Sequence, residues 1–291
     1  MNDVDRTVRM RLAVPKGRMQ AGVAALLAES GLPLPTSERS YRPRIHLPGV
    51  EVKMLKPQNI VEMLQAGSRD VGFTGADWVA ELDGDLVELL DTGLDPVRVV
   101  AAAPVDLLDD GRLPDRPLVI ASEYANLTRR WIEGRGLDAR FVRSYGATEV
   151  FPPEDADVIV DNTSTGATLQ ANGLEIVDEV VRSSTRMFAS PRAMDDPARR
   201  RSIEDLAMLV RSVLDARRRV MLEVNVSEDR LEALLEALPC MREPTVAPLA
   251  GGRGFAVKAA VPREDLARVV PRLKECGGTD VVVTRLAQIV P

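Results

Sequence analysis

Across residues 8 to 14, VRMRLAV, apolar and polar positions alternate, which is the period-two pattern of a half-buried strand. PKGR follows, and then Val23, Leu26 and Leu27 fall on one face of a predicted helix. VEVKML (50 to 55) predicts a second strand, with Pro57 opening a helix, because proline's missing N–H is not needed at the first helical position. DVGFTG (70 to 75) predicts a short buried strand closed by a glycine turn. Further strands are predicted at VRVVAAAP (97 to 104), PLVIASEY (117 to 124), ARFVRSYG (139 to 146) and TRMFAS (185 to 190), and a helix at NLTRRWIEGRG (126 to 136). In DVIVDNTSTGATL (157 to 169), a buried strand through Val158, Ile159 and Val160 changes character at Asp161 and hands over to a helix carrying Ala167, Leu169 and Ala171. Strands alternating with helices predict α/β layers on a mainly parallel sheet, with ligands gathering at the carboxyl ends of its strands.

Beyond this region, Asp195 to Arg219 reads as one long helix, with acids at its start and arginines at its end, as the helix dipole favours. From Val220 the pattern spells strand, helix, strand, strand, helix, strand, a ferredoxin-like βαββαβ module. Its GGRG (251 to 254) lacks the strand-before, helix-after setting of a dinucleotide fingerprint and is read as the turn between the middle strands.

The length of 291 residues allows two or three compact units. Balanced charge, 38 Lys+Arg against 44 Asp+Glu, leaves no basic footprint for nucleic acid or an anionic membrane, and aromatic residues are too scarce for base-stacking platforms. No apolar run approaches the about 18 residues of a membrane span, and an N-terminus with Asp3, Asp5 and Arg6 is no secretory signal. Cys240 and Cys276 are too few for a disulfide framework, so a cytoplasmic location is expected. The single histidine, His46, reads as a loop residue and removes most zinc sites and every triad built on a histidine base.

Four candidate stretches fall at predicted strand ends. Ser164, Thr165 and Thr168 surround Gly166 at a helix start, where unpaired N–H groups and hydroxyls can cradle phosphate, and Asp161 at the strand end can accept sugar hydroxyls. Ser and Thr also serve as ordinary helix caps, and both readings stand for that turn. Lys16 and Arg18 flank Gly17 directly after a strand and suit a second anion, or they are solvent-facing charges. Gly75 with Asp77, and Glu123 with Tyr124, complete the set, although Gly75 could simply close a turn and Asp77 cap a helix. Arg129 and Arg130 read as surface charges more readily than as ligands. Together these groups suit a phosphorylated sugar.

DVIVDNTSTGATLQANGLEIV resembles the signature of the ATP phosphoribosyltransferase family, which opens histidine biosynthesis, and the resemblance extends to AVPKGRM, VGFTGAD, LDPVRVVAAAP, SEYANLTRRW and EPTVAPLAGG. It implies a two-lobed catalytic part like type II periplasmic binding proteins, with lobe I from residues 1–100 and 182–217 and lobe II from 101–181, followed by a regulatory ferredoxin-like domain at 218–291. It implies transfer of phosphoribosyl from phosphoribosyl pyrophosphate to N1 of ATP, with pyrophosphate released. By this resemblance Ser164, Thr165, Gly166, Ala167 and Thr168 hold the 5-phosphate and Asp161 the ribose. Lys16 and Arg18 serve the pyrophosphate or nucleotide phosphates, while Gly75, Asp77, Glu123 and Tyr124 serve the nucleotide end. Mg2+ travels with the pyrophosphate, no protein metal ligand being assigned. L-histidine inhibits from the tail, where Pro244, Thr245 and Leu249 line or support its pocket, within a homohexamer. The chain departs from the family at Lys56-Pro57-Gln58-Asn59, where Arg-Pro-Gln-Asp is usual, and at Ala125, where proline is usual. It is also one residue short between Glu149 and Asp157. These departures leave room for a paralogue with another acceptor base, and because two-lobed clefts of this kind also serve as solute receptors and sensors, a non-catalytic ligand-binding module is the other alternative.

Overall fold

The computed structural model describes residues 9–35, 41–45, 47–241 and 243–290; His46, Asp3, Asp5 and Arg6 lie outside them. In chain order the elements are β1 (Met10–Pro15), α1 (Met19–Glu29), β2 (Val50–Leu55), α2 (Pro57–Gln65), β3 (Val71–Gly75), α3 (Ala76–Glu81), β4 (Val87–Pro104), β5 (Leu118–Ser122), α4 (Ala125–Arg135), β6 (Ala139–Arg143), β7 (Val158–Thr163), α5 (Ala167–Ala171) and β8 (Leu174–Ala189). They continue with α6 (Pro191–Asp195), α7 (Pro197–Arg217), β9 (Arg219–Val226), α8 (Leu231–Glu236), β10 (Thr245–Pro248), β11 (Phe255–Pro262), α9 (Leu266–Glu275) and β12 (Thr279–Arg285). Two compact units result, Met1–Ala28 with Leu32–Ala207, and Glu29–Gly31 with Met208–Pro291. Among the described residues no helix is long and apolar enough to cross a membrane.

The first unit is built on one sheet of order β2-β1-β3-β8-β4-β7-β5-β6. Its flanks are parallel as the alternation of strands and helices predicts, β1 with β2 and β3, and β5 with β6 and β7. Its centre is antiparallel, because β8 pairs antiparallel with both β3 and β4, and β4 with β7. The strands predicted at 97 to 104 and 185 to 190 are only the ends of β4 and β8, which run for 18 and 16 residues. The missed portions carry Gly93, Pro96 and many charges, which read as a loop, since proline in a strand belongs at bulges or edges. Here the β4–β8 register does shift between Leu94 and Val97, so Pro96 sits at such an irregularity, with Asp95 left-handed at φ 47° and accepting the Thr185 hydroxyl at 2.9 Å.

The helix predicted from 195 to 219 is also interrupted. Asp196 stays outside both helices and its Oδ1 accepts the N–H groups of Ala198 and Arg199, so α7 starts afresh at Pro197; it ends at Arg217, and Arg219 already belongs to β9.

In the second unit the antiparallel order β10-β11-β9-β12 is that of the ferredoxin-like fold. Alternate residues Val220, Leu222, Val224 and Val226 of β9 are buried together with Val257, Ala259 and Val261 of β11, under Leu234 of α8 and Val269 and Leu273 of α9. GGRG forms the β10–β11 turn. Gly254 has φ +136°, and a side chain there would collide with the Val226 carbonyl.

Buried acids join elements of the first unit. Asp70, just before β3, is 2% exposed and receives Arg11 of β1 and Arg199 of α7 at 2.7 Å each. Burial alone would push its carboxyl up, but the bonds and charge of Arg11 and the charge of Arg199 hold it below the usual carboxylate range. Glu81, at the end of α3, accepts the N–H groups of Asn126 and Leu127 in the first turn of α4 at 2.9 to 3.1 Å. It supplies by tertiary contact the cap that α4 lacks in its own sequence. Glu81→Ala is expected to destabilise the first unit by about 2 kcal/mol, because those N–H groups lose a charged acceptor; urea unfolding monitored by circular dichroism reads this directly, and Glu81→Gln should lose less.

Candidate functional site

The hydroxyl-rich turn is built from a strand whose register is held at its base. Asp157 accepts the Val119 N–H and the Arg116 guanidinium, both at 2.7 Å, which sets β7 beside β5. Val158, Ile159 and Val160 are fully buried, so the strand cannot slip and Asp161 emerges at its carboxyl end. The chain then turns tightly. Thr163 Oγ1 accepts the Gly166 N–H at 2.9 Å, Gly166 is left-handed at φ +83°, and Thr165 Oγ1 accepts the Ala167 N–H at 3.3 Å. Both hydroxyls act there as acceptors, which leaves their protons free to donate. In the first turn of α5, the N–H groups of Thr168 and Leu169 have no protein acceptor among the described residues. Leu169 is buried and anchors the turn, whereas Ser164, Thr165, Ala167 and Thr168 are exposed.

A cavity of about 340 Å³ opens at this turn, lined by Asp161, Asn162, Thr163, Ser164, Thr165, Thr168 and Leu169, with Glu149 and Arg18 completing the wall. Arg18 reaches it from the loop after β1, where Gly17 takes φ +82°. The cation and the hydroxyl turn, far apart in sequence, therefore share one pocket. Asp161 is half-buried, and its carboxyl is pushed up to about 6 by burial, against the Asn162 N–H at 2.6 Å and with help from the charges of Glu123 and Glu149. Lys16 does not join this pocket's wall; its Nζ lies 3.7 Å from the centre of the Tyr41 ring.

Asp77 and Tyr124, expected at the nucleotide end, lie beneath the surface at 2% and 0% exposure. Asp77 Oδ2 accepts the Tyr124 hydroxyl at 2.7 Å and Oδ1 accepts that of Ser183 at 2.6 Å. The Tyr124 ring stacks on Trp78 at 4.6 Å, and burial together with Asp77 pushes its hydroxyl far above the ordinary tyrosine range. Gly75 gives Asp77 its room, since a Cβ there would strike Asp77 Oδ1 and the Met19 methyl. These polar atoms are thus engaged with protein partners. Glu123 is half-buried beside the Asp161 charge.

Asn162, Thr163 and Glu149 were not singled out in the sequence. Thr163 carried a usable signal, a hydroxyl three residues before a turn glycine, whereas nothing local marks Glu149. Arg130 is occupied by Asp83 and the Ala80 carbonyl, and Arg129 lies over the Phe141 ring. Lys56 precedes α2, Pro57 is its first residue, and Asn59 bonds Glu62, while Ala125 is the first residue of α4, so all these departures sit at helix starts. In the second unit, Pro244 is half-buried, Thr245 opens the exposed edge strand β10, and Leu249 donates to the Gly254 carbonyl in the hairpin turn.

Comparison with known proteins agrees with this architecture. The ATP phosphoribosyltransferase family model matches residues 56–212, and the model of the same family's C-terminal domain matches residues 216–288. An ATP phosphoribosyltransferase of Pelotomaculum thermopropionicum is 32% identical over 289 residues, covering 98% of this chain and 100% of its own length. One from Solibacter usitatus is 34% identical, with 97% and 99% covered. A solved ATP phosphoribosyl transferase (HisG:HisZ) complex from Thermotoga maritima contains a chain 29% identical with a TM-score of 0.61, covering 69% of this chain and 98% of that one. With a family match over more than half of its length and relatives spanning nearly all of it, the chain belongs to the ATP phosphoribosyltransferase family.

Proposed function

We propose that the pocket at the end of β7 holds phosphoribosyl pyrophosphate in the family's reaction, transfer of phosphoribosyl to N1 of ATP with release of pyrophosphate, the first step of histidine biosynthesis. The observation that carries this reading is the meeting of Arg18, Asp161 and the Thr163-to-Thr168 turn around one cavity. The turn's free N–H groups and hydroxyl protons suit the 5-phosphate, with contacts from Ser164, Thr165, Gly166, Ala167 and Thr168. Asp161 suits the ribose hydroxyls. Displacement at the anomeric carbon develops positive charge on the sugar and negative charge on the departing pyrophosphate, so a carboxylate on one side and Arg18 on the other lower the barrier electrostatically. Lys16 serves the same polyanion from two residues earlier on the same loop, once released from the Tyr41 ring. Gly75, Asp77, Glu123 and Tyr124 belong to the nucleotide end, where Asp77 and Tyr124 act from below by holding the site's floor.

Among the described residues no three His, Cys, Asp or Glu side chains gather to hold a metal ion. Mg2+ usually keeps waters and binds substrate phosphates, so an ion carried on the diphosphate of the substrate would add positive charge at the leaving group. The lobes are taken as residues 1–100 with 182–217 and residues 101–181, with a regulatory domain at 218–291. L-histidine is the proposed inhibitor, acting near Pro244, Thr245 and Leu249 in a cytoplasmic homohexamer.

Thr165→Ala combined with Thr168→Ala is expected to weaken phosphoribosyl pyrophosphate binding by about 1 to 3 kcal/mol, the scale of lost hydrogen bonds to a charged group. Titration calorimetry showing unchanged affinity would remove the assignment.

The raised carboxyl of Asp161 has two consequences. If its ionised form serves catalysis, kcat/KM for phosphoribosyl pyrophosphate rises with pH around a midpoint of about 6. A folded-state value above the unfolded one also means that the native state gives up stability as pH rises through about 6. Asp161→Asn is therefore expected to lose activity yet melt higher than the parent at pH 8, with the advantage vanishing near pH 4. A variant that melts lower at both pH values contradicts this.

For the tail, steady-state rates of the full-length protein should fall on adding millimolar L-histidine, through a coupling of about 1 to 3 kcal/mol between two sites. Rates and binding isotherms unmoved by histidine leave the second unit as an assembly module.

A further inference from the structure

The pocket carboxylate is the last link of a hydrogen-bond chain that begins on the β3–β8 side of the first unit. Ser183 of β8 donates its hydroxyl to Asp77 Oδ1 at 2.6 Å and accepts the Asp77 N–H at 3.0 Å. Asp77 Oδ2 takes the single proton of the Tyr124 hydroxyl at 2.7 Å, so the tyrosine oxygen can only accept from its other neighbour. That neighbour is Asn162, whose Nδ2 donates to Tyr124 Oη at 3.1 Å and, with its second proton, to Asp161 Oδ1 at 3.3 Å.

Ser183, Asp77 and Tyr124 are at most 5% exposed, and none of them lines the pocket, so contact with ligand does not account for them. A fully satisfied buried polar chain fixes geometry more than it adds stability, since apolar groups of the same shape could fill the space. Its direction is set throughout, and among the described residues it reaches the pocket at Asp161.

We propose that Tyr124 and Asn162 are positioning residues for Asp161, tying the orientation of the pocket carboxylate to α3 and β8 through Asp77 and Ser183. Whatever shifts α3 against β8 then moves the group offered to the sugar. This rests on the assignment of Asp161 to the ribose made above. The other charged groups facing Asp161 are Glu123, Glu149 and Arg18, and the chain touches none of them, so its removal leaves their charges in place.

Tyr124→Phe, Asn162→Ala, Ser183→Ala and Asp161→Ala separate the possibilities, each first checked for folding by thermal melting. Tyr124→Phe and Asn162→Ala are each expected to raise KM for phosphoribosyl pyrophosphate about tenfold, the factor expected for one misplaced charged contact, and in Asn162→Ala, which touches no group assigned to the nucleotide, KM for ATP stays within about twofold. The double variant should be no worse than the poorer single one, because both cut the same chain. Ser183→Ala should act in the same direction, by roughly threefold, being the outermost link. Carboxyl-carbon NMR without substrate should show Asp161 titrating at higher pH in Asn162→Ala, which a purely structural role would not produce. Should Tyr124→Phe fail to fold, Asn162→Ala decides, since it removes a half-exposed side chain. Folded variants with unchanged KM and an unmoved Asp161 titration overturn the proposal. If Asp161→Ala itself leaves KM for phosphoribosyl pyrophosphate untouched, the ribose assignment fails instead.

Discussion

The two halves of the first unit share a sheet because β4 and β8 run side by side through its centre. β8 carries the β1–β3 half by pairing Thr185 to Ala189 with β3, and β4 carries the β5–β7 half by pairing Arg98 to Ala102 with β7. Strands of 18 and 16 residues are about three times the usual length, and twist would accumulate along such a ribbon. Repeated register shifts between Glu88 and Ala102 relieve it, at Asp91, Gly93 and Pro96 among others. Everything at the pocket follows from this pairing. Arg18 stands at the end of β1 and Asp161 at the end of β7, and only the shared sheet brings them to one wall.

Two kinds of polar group meet at that wall, and they obey different energetics. The hydroxyls of Ser164, Thr165 and Thr168 and the Arg18 guanidinium are exposed, hold few internal bonds and can be given to a ligand at little cost to stability. Asp77, Tyr124 and Ser183 are buried and fully paired, so altering one leaves another without its partner. Asp161 lies between these regimes. Its burial and two neighbouring acids make its charge costly to hold in the folded state.

The departures from the family pattern have unequal physical weight. Ala125 for proline falls at the first residue of α4, where Glu81 already secures the following N–H groups, so helix formation does not depend on the proline. Lys56 for arginine keeps the charge but gives up the planar fork that grips phosphate in two places. It lies exposed just before α2.

Local pattern sufficed wherever burial is one-sided or periodic. The strand before Asp161, the turn at Gly166, β2, β3 and the whole βαββαβ order of the second unit were legible because alternation, glycine and proline act within a few residues. The hydroxyl turn was visible as a possible anion cradle for the same reason. The antiparallel ribbon was not legible, since its strands are half-exposed, charged and broken by Gly93 and Pro96, and their strand character comes from pairing with each other. Nor could sequence tell that Asp77 and Tyr124 would spend their polar atoms on one another, 47 positions apart, or that Lys16 would rest on Tyr41 while Arg18 reached the pocket. Motif spacing determines which groups stand at strand ends. Which of them face a ligand, and which become the floor beneath it, is decided by burial, a property of the assembled sheet rather than of any segment.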